Sequence, residues 1–296
     1  MRHGTYSIVA RDPASGELGA AVQSHWFSVG SLCVWARAGV GAVATQSVVE
    51  PAHGPNALDR LSAGERAAAA LAHVLAGDEL AATRQVGIVD ARGGIAVHTG
   101  SGCIAEAGHV TGVDHSCQAN MMARETVPRA MSQAFELAHG TLAERMLAAL
   151  DAAEGQGGDV RGRQSAAIVV VAARGEPWRK RIDLRVEDNE QPLDELHRLL
   201  HLHRAYELAG EADQLLAAGD ADGAGGRYEQ AQRLAPESGE LLFWAGLARA
   251  HAGDLDAGVD AVRRAAALDP GWLTLLGRLS PDFAPAAAAV AAALRA

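Results

Sequence analysis

Apolar and polar residues alternate from the start of the chain. Thr5 to Arg11 alternates around β-forming residues, Asp12-Pro13-Ala14-Ser15-Gly16 clusters turn formers, and Glu17 to Ser24 returns in extended pattern, which predicts a β-hairpin. Short β-type runs follow at Val40 to Val48, Gln85 to Asp90, Ile95 to Thr99 and Ser116 to Asn120, with two more at Ser165 to Ala173 and Arg179 to Val186. Helical pattern lies between them. A short helix is expected after Gly54-Pro55, an alanine-rich one over Gly64 to Ala76 closed by Gly77-Asp78, and a longer block from about Val127 to Ala153. Within that block Pro128 suits a first turn, and Thr141 with Glu144 three residues on forms a capping box for a helix ending near Gly155. Strands, then helices, then strands again predict an α/β fold of the α+β kind. Its sheets are expected to be largely antiparallel with helices packed outside.

After Val186 the pattern changes. Glu187-Asp188-Asn189-Glu190-Gln191-Pro192 is a polar linker into continuous helical periodicity, so residues 1–186 and 187–296 are expected to form separate domains. Gly219-Asp220 recurs as Gly253-Asp254, Ala231 as Ala265, Leu234 as Leu268 and Pro236 as Pro270, all displaced by 34 residues, the tetratricopeptide period. Small residues (Ala212, Gly246) fall where two helices would cross, Ala224 and Gly258 begin each second helix, and Tyr228 and Val262 take its apolar position. The repeats span about 205–238 and 239–272. Two repeats need capping by neighbours, for which Asp194 to Gly210 and an alanine-rich helix after Pro281 are available. Such an all-α segment is read as a dimerisation or packing element, or else as a protein-interaction surface.

A net charge of −10 spread over 296 residues, with no basic stripe, argues against a nucleic-acid or anionic-membrane partner. The first residues lack an apolar signal region and no apolar run is long enough to span a bilayer, so a cytoplasmic location is expected. Cys33, Cys103 and Cys117 suit reduced thiols better than a disulfide framework or a zinc site. His197 and His201 share a helix face at metal-ligand spacing, with His203 nearby, but no further ligand follows in the expected pattern. Gly39-Val40-Gly41 and Gly100-Ser101-Gly102 lack the lysine and the strand-loop-helix setting of a phosphate site. No cofactor or metal is called for.

Thr5 carries more chemistry, because a hydroxyl opening a strand becomes a nucleophile once it has a base. If the chain were cut before Thr5, the new α-amine, with a pKa of about 8, would take the hydroxyl proton. Gly4 suits such a cut, since a residue without Cβ tolerates a distorted backbone.

The stretch Thr5-Tyr-Ser-Ile-Val-Ala-Arg-Asp-Pro-Ala-Ser-Gly-Glu-Leu-Gly-Ala-Ala-Val-Gln-Ser24 closely resembles the opening of the bacterial DUF1028 family, which is assigned to the N-terminal-nucleophile hydrolases. Ala36 to Gln46, His98 to Cys103, Gln118-Ala119-Asn120-Met121 and Gly158 to Ala166 also resemble family motifs. The resemblance, from Thr5 to about Leu184, implies a four-layer αββα sandwich whose first strand opens on the nucleophile and attacks amide carbonyls. It implies catalytic roles for Thr5, for Asn120 as oxyanion donor, and for Asp159 and Ser165 in a glycine-rich loop. Arg161 and Arg163 from that loop, with Arg37, Gln46, His98, Thr99 and Gln118, are candidates to bind substrate, and an arginine can hold a carboxylate bidentately. Pairing Arg11 with Glu17 across the turn places Thr5 opposite Gln23 and beside Ser24, two further candidates, and a slip of one residue would exchange their faces.

Together these imply an amidohydrolase acting on a small amide or N-carbamoyl compound through an acyl-enzyme. A non-catalytic ligand-binding scaffold whose repeats recruit a partner is the alternative, and Ser24 or Cys103 are alternative nucleophiles. One departure stands out: members of the family often place the threonine directly after the initiator methionine or a leader, whereas here Met1-Arg2-His3-Gly4 intervene, so simple methionine removal cannot expose Thr5. Either the Gly4–Thr5 bond is cleaved, or translation starts elsewhere, or the fold is kept without amine-based chemistry.

Overall fold

The computed structural model describes residues 4–295, so Met1 to His3, whose removal the amine mechanism requires, lie outside the described residues. The chain divides into two compact units between His197 and Arg198, beyond the boundary expected at residue 186. The division falls inside a helix.

Unit 1 runs β1 (Thr5–Arg11), β2 (Leu18–Ser24), α1 (Gly30–Cys33), β3 (Val34–Arg37), β4 (Gly41–Ser47), α2 (His53–Ser62), α3 (Ala67–Leu75), β5 (Arg84–Asp90) and β6 (Ile95–Thr99). It continues with β7 (Gly108–Gly112), β8 (His115–Asn120), α4 (Val127–Leu137), α5 (Leu142–Gly155), β9 (Ser165–Val171) and β10 (Ile182–Val186). The strands form two antiparallel sheets, one ordered β10-β9-β2-β1-β8-β7 and the other β3-β4-β5-β6. Val9, Ala20 and Val169 of the first meet Ala42, Ala44 and Val89 of the second in a buried layer. On the outer face of the first sheet, α5 comes so close that a Cβ at Gly19 would sit 2.6 Å from Met146 Cε. Leu58, Leu61 and Leu71 of α2 and α3 cover Val43, Val86 and Ile88 on the outer face of the second.

Local chemistry explains where the elements depart from expectation. β3 is only four residues long, and β7 (Gly-His-Val-Thr-Gly) begins and ends on glycine with no residue fully buried, so neither carries a strand's alternation. α2 begins at His53, ahead of Gly54-Pro55, so Pro55 lies in its first turn, where no N–H is missed. The helical block divides at Gly140, whose φ of +107° breaks the run, and Thr141 and Glu144 form the expected capping box for α5.

The hairpin register is one residue away from the expected one. Arg11 pairs with Leu18, not Glu17, because the Asp12 N–H donates to the Glu17 carbonyl at 2.9 Å and the Glu17 side chain turns away to Arg181. Thr5 is therefore opposite Ser24, and Gln23 pairs with Tyr6 on the other face.

Unit 2 contains most of α6 (Pro192–Ala217), then α7 (Ala221–Leu234), α8 (Gly239–His251), α9 (Leu255–Leu268), α10 (Gly271–Leu276) and α11 (Ala287–Ala293). The 34-residue period has a physical counterpart. Asp220 and Asp254 cap α7 and α9 by accepting the N–H groups of Gly223 and Ala257, and Gly219 and Gly253 before them take φ of +84° and +102°. α8 and α9 touch backbone to backbone, since a Cβ on Gly246 would lie 2.8 Å from the Gly258 carbonyl oxygen. Ala287 and Val290 of α11 pack with Phe243 of α8 and Val262 of α9, so the alanine-rich tail caps the last pair. Among the described residues no helix is long and apolar enough to cross a membrane.

Gly246→Val should strain this contact and destabilise unit 2 by about 1–3 kcal/mol, read by scanning calorimetry as a lower transition for that unit. Gly226→Ala, where nothing lies within 4 Å of a new Cβ, should leave it unchanged or raise it.

Candidate active site

Register builds the site. Thr5 on β1 pairs with Ser24 on β2 and with Asn120 on β8, and Ser24 pairs in turn with Ser165 on β9. Directly opposed residues share a face, so Ser165, Ser24, Thr5 and Asn120 form a polar row across four strands. This row is on the inner face, since Ser7, two residues along from Thr5, donates to Gln46 Oε1 of the other sheet at 2.6 Å. All four are buried.

Around Thr5 the bonds run in sequence. The Thr5 hydroxyl donates to Ser24 Oγ at 3.1 Å, and the Ser24 hydroxyl donates to the Gly4 carbonyl at 2.5 Å. That carbonyl belongs to the Gly4–Thr5 peptide bond. It accepts a second bond from the Arg161 guanidinium at 2.9 Å. Arg161 is held by Asp159 through two contacts, 3.0 Å to Oδ1 and 2.7 Å to Oδ2, and Asp159 is kept in place by the N–H groups of Arg161 and His25. A bridge between Met122 and Asp159 and a bond from the Val160 N–H to the Met121 carbonyl tie this loop to the end of β8. Gly4 fits because of space: a Cβ there would lie 2.7 Å from Asp159 Oδ2 and 2.8 Å from Met121 Cβ. Crowding is by itself a reason for a glycine here.

Beneath the row is a layer of buried amides. Gln46 Nε2 donates to the Thr5 carbonyl (3.2 Å), the Gln118 carbonyl (3.3 Å) and Gln85 Oε1 (2.8 Å). Gln85 turns its own Nε2 to the carbonyls of Ala119 (2.9 Å) and Gly108 (3.1 Å) and to Thr99 Oγ1 (3.0 Å). Those carbonyls only accept, so they fix which end of Gln85 is the amide nitrogen. Asn120 then has to donate Nδ2 to Gln85 Oε1, at 2.9 Å, and its Oδ1 is buried without a partner. Asn120 thus directs its donor into the amide layer rather than at the Gly4 carbonyl. Gln118 bonds Ser7 and Ser116, and Gly87 leaves room for it.

Not every candidate joins this cluster. Ser165 belongs to the row, but its hydroxyl holds the Trp26 carbonyl and the Val29 N–H, fixing the loop after β2. Gln23 lies on the opposite face with both amide atoms buried and unpartnered. Arg163 pairs with Glu154, which also accepts from Tyr6 on that outer face, where burial and Glu154 raise the Tyr6 pKa well above its ordinary value. Arg37 is at the far end of β3 and β4, bridged to Asp59 at 2.9 Å. His98 bonds the Ala81 carbonyl, whereas Thr99 extends the amide layer to His109. Cys103 bonds the Arg84 carbonyl, and burial pushes the Cys33 thiol up to about 12. Among the described residues no group of histidines, cysteines and carboxylates forms a metal site. Gln85 and Ser7 were not among the expected site residues, since a polar residue inside a short β run looks like ordinary alternation, although Ser7 falls on the same strand face as Thr5; the signal for Gln85 was a glutamine near the end of β4 and another near the start of β5.

Residues 5–196 match the profile described as a family of unknown function, DUF1028. The chain belongs to the DUF1028 family. Of solved structures, it is similar to the crystal structure of a DUF1028 protein from Silicibacter pomeroyi, at 31% identity and a TM-score of 0.61 over 67% of this chain and 88% of that one. No curated protein matches it.

Gln85→Leu should strand the Asn120 amide and take the Gln85 donor from two backbone carbonyls, destabilising unit 1 by about 2–4 kcal/mol, measured by urea unfolding. Stability equal to the parent's would show that the amide layer contributes nothing to the fold.

Proposed function

We propose that this DUF1028 protein is an amide hydrolase of the N-terminal-nucleophile type that first cuts its own Gly4–Thr5 bond. The observation that carries the reading is the hydrogen-bond sequence from Thr5 Oγ1 through Ser24 Oγ to the Gly4 carbonyl, with Arg161 on the same oxygen. The two sheets with helices over both outer faces are then the four layers of an αββα sandwich, and the helical repeats are tetratricopeptide-like, serving dimerisation or partner recruitment.

In the first step Thr5 Oγ1 attacks the Gly4 carbonyl carbon. The hydroxyl proton passes to Ser24 as Ser24 hands its own proton to the Gly4 oxygen, while Arg161 stabilises the charge that develops on that oxygen. The C–N bond breaks, the proton is delivered to the Thr5 nitrogen, and an ester joins the Gly4 carbonyl to Thr5 Oγ1. Water hydrolyses that ester, releasing Met1 to Gly4 as a carboxylic acid and leaving Thr5 with a free α-amine. In later turnovers a small amide or N-carbamoyl compound places its carbonyl where Gly4 stood, the amine takes the hydroxyl proton, and an acyl-enzyme forms and is hydrolysed. Arg161, released from Gly4, is the group to meet a substrate oxygen, so the oxyanion role expected of Asn120 passes to Ser24 and Arg161. Asn120 Oδ1, an acceptor opposite Thr5, suits the new amine. Before the cut Thr5 is fully buried, so an outside substrate has no route to it.

Intact-mass analysis should find the chain beginning at Thr5, and Thr5→Ala should stay full length. Arg161→Gln should slow the cut by about 10²–10³-fold, the cost of one oxyanion donor. An intact Met1 terminus that persists on prolonged incubation would favour the ligand-binding scaffold instead.

Hydrolysis of a panel of small amides and N-carbamoyl compounds should rise with pH and level off above about 8, because the α-amine is a base only when neutral. A Thr5→Ala protein that hydrolyses them as fast as the parent would exclude Thr5 as nucleophile.

A further inference from the structure

We propose that unit 2 binds an arginine or lysine side chain presented by a peptide segment, in the cavity that α6, α7 and α8 form with residues 283–286. The cavity measures ≈ 410 Å³ and its lining includes Tyr206, Tyr228, Trp244, Phe283, Asp213 and Glu240. This is the size of a site for one small group. No arginine or lysine lines it, and the basic group in its wall is His251.

The aromatic rings are set for a cation. Trp244 stands edge-on to Phe283 at 6.0 Å between centroids and is backed by Phe243 at 5.0 Å, while Tyr206 and Phe283 are 42% and 72% exposed. Exposed ring faces attract ammonium and guanidinium groups through their quadrupoles.

The carboxylates have no counter-ion. Tyr206 Oη donates to Glu240 Oε2 at 2.7 Å and Tyr228 Oη donates to Asp213 Oδ1. Burial and the adjacent carboxylate raise both phenol pKa values, so the tyrosines remain neutral donors and orient the carboxylates without neutralising them. Nearby acids are paired, Glu207 with Arg204, Glu211 with Arg227 and Glu229 with Arg249. Among the described residues neither Asp213 nor Glu240 has such a partner. Two oriented carboxylates without a cationic partner, beside the exposed rings of Tyr206 and Phe283, favour a cation.

The donors narrow its identity. A quaternary ammonium has no N–H for the free carboxylate lone pairs, whereas a guanidinium or primary ammonium supplies several and lays its alkyl stem along the rings. A free amino acid would bring an α-carboxylate into a negative cavity with no arginine or lysine to hold it. A side chain within a peptide carries no such charge.

The test is calorimetric titration of the full-length protein with acetyl-Gly-Arg-Gly-amide, the same peptide with citrulline in place of arginine, and agmatine. The arginine peptide should bind and the citrulline peptide should not. Glu240→Gln and Asp213→Asn should each raise Kd about tenfold, the equivalent of one charge-assisted hydrogen bond. Phe283→Ala, at an exposed ring that folding does not require, should raise it about fivefold. No binding of the arginine peptide, equal binding of the citrulline peptide, binding of agmatine alone, or unchanged Kd in all three variants would each overturn the proposal.

Discussion

The amide of Gln46 is buried between two sheets, and its environment gives it no alternative to the bonds it makes. An unpaired buried amide costs about 1–3 kcal/mol, so Gln46 requires a carbonyl from β1, a carbonyl from β8 and the side chain of Gln85 to be at fixed positions. Those partners are the Thr5 carbonyl, the Gln118 carbonyl and the residue that orients Asn120. One side chain on the four-stranded sheet therefore sets the height of β1 and β8 on the six-stranded one. Their register in turn brings Thr5, Ser24 and Asn120 side by side. A slip of one residue would send Thr5 to the outer face, against the helices, and bring Tyr6 into the amide layer.

That dependence explains what was legible in the sequence and what was not. The Thr5–Arg11 and Ile95–Thr99 strands and the Thr141 capping box follow from local pattern, because each depends on residues a few positions apart. The repeats were legible through the recurrence of Gly219-Asp220 as Gly253-Asp254, whose glycine and cap act within one turn. The partner of Thr5 was not. Whether Ser24 or Gln23 faces it depends on whether Glu17 ends the loop or starts the strand, and in the structure it ends the loop, its carbonyl accepting the Asp12 N–H. Arg161 and Arg163 look alike in one glycine-rich loop, yet one reaches the Gly4 carbonyl and the other Glu154 on α5. Spacing alone could not separate them, since the turn at Gly162, with φ of +103°, sends them to different sides.

Gly4 is constrained twice over. Asp159 and Met121 occupy the space where any Cβ would go, and its carbonyl is the acceptor that Ser24 and Arg161 share. The Asp159 carboxylate, fully buried, is tolerable there because Arg161 offsets its charge and two backbone N–H groups fill its remaining lone pairs. A side chain on residue 4 would displace Asp159, and with it the arginine that polarises the carbonyl. Crowding and electrostatics at this residue are one constraint.

If the proposed chemistry holds, the same burial orders events in time. Thr5 and Gly4 are sealed from solvent, so the amide in reach of the Thr5 hydroxyl is the one in its own backbone, and an intramolecular attack needs no binding step. The cut removes the residue that fills the acyl position and releases the amine that the next attack requires. Space, base and a free bond on Arg161 thus arise together. A protein assembled this way has no partly active form: before the cut it lacks both base and room, and after it the hydroxyl, the amine and the guanidinium are already in register. On that proposal the geometry of β1 serves two substrates in turn, first the chain itself and then whichever small amide takes the place of Gly4.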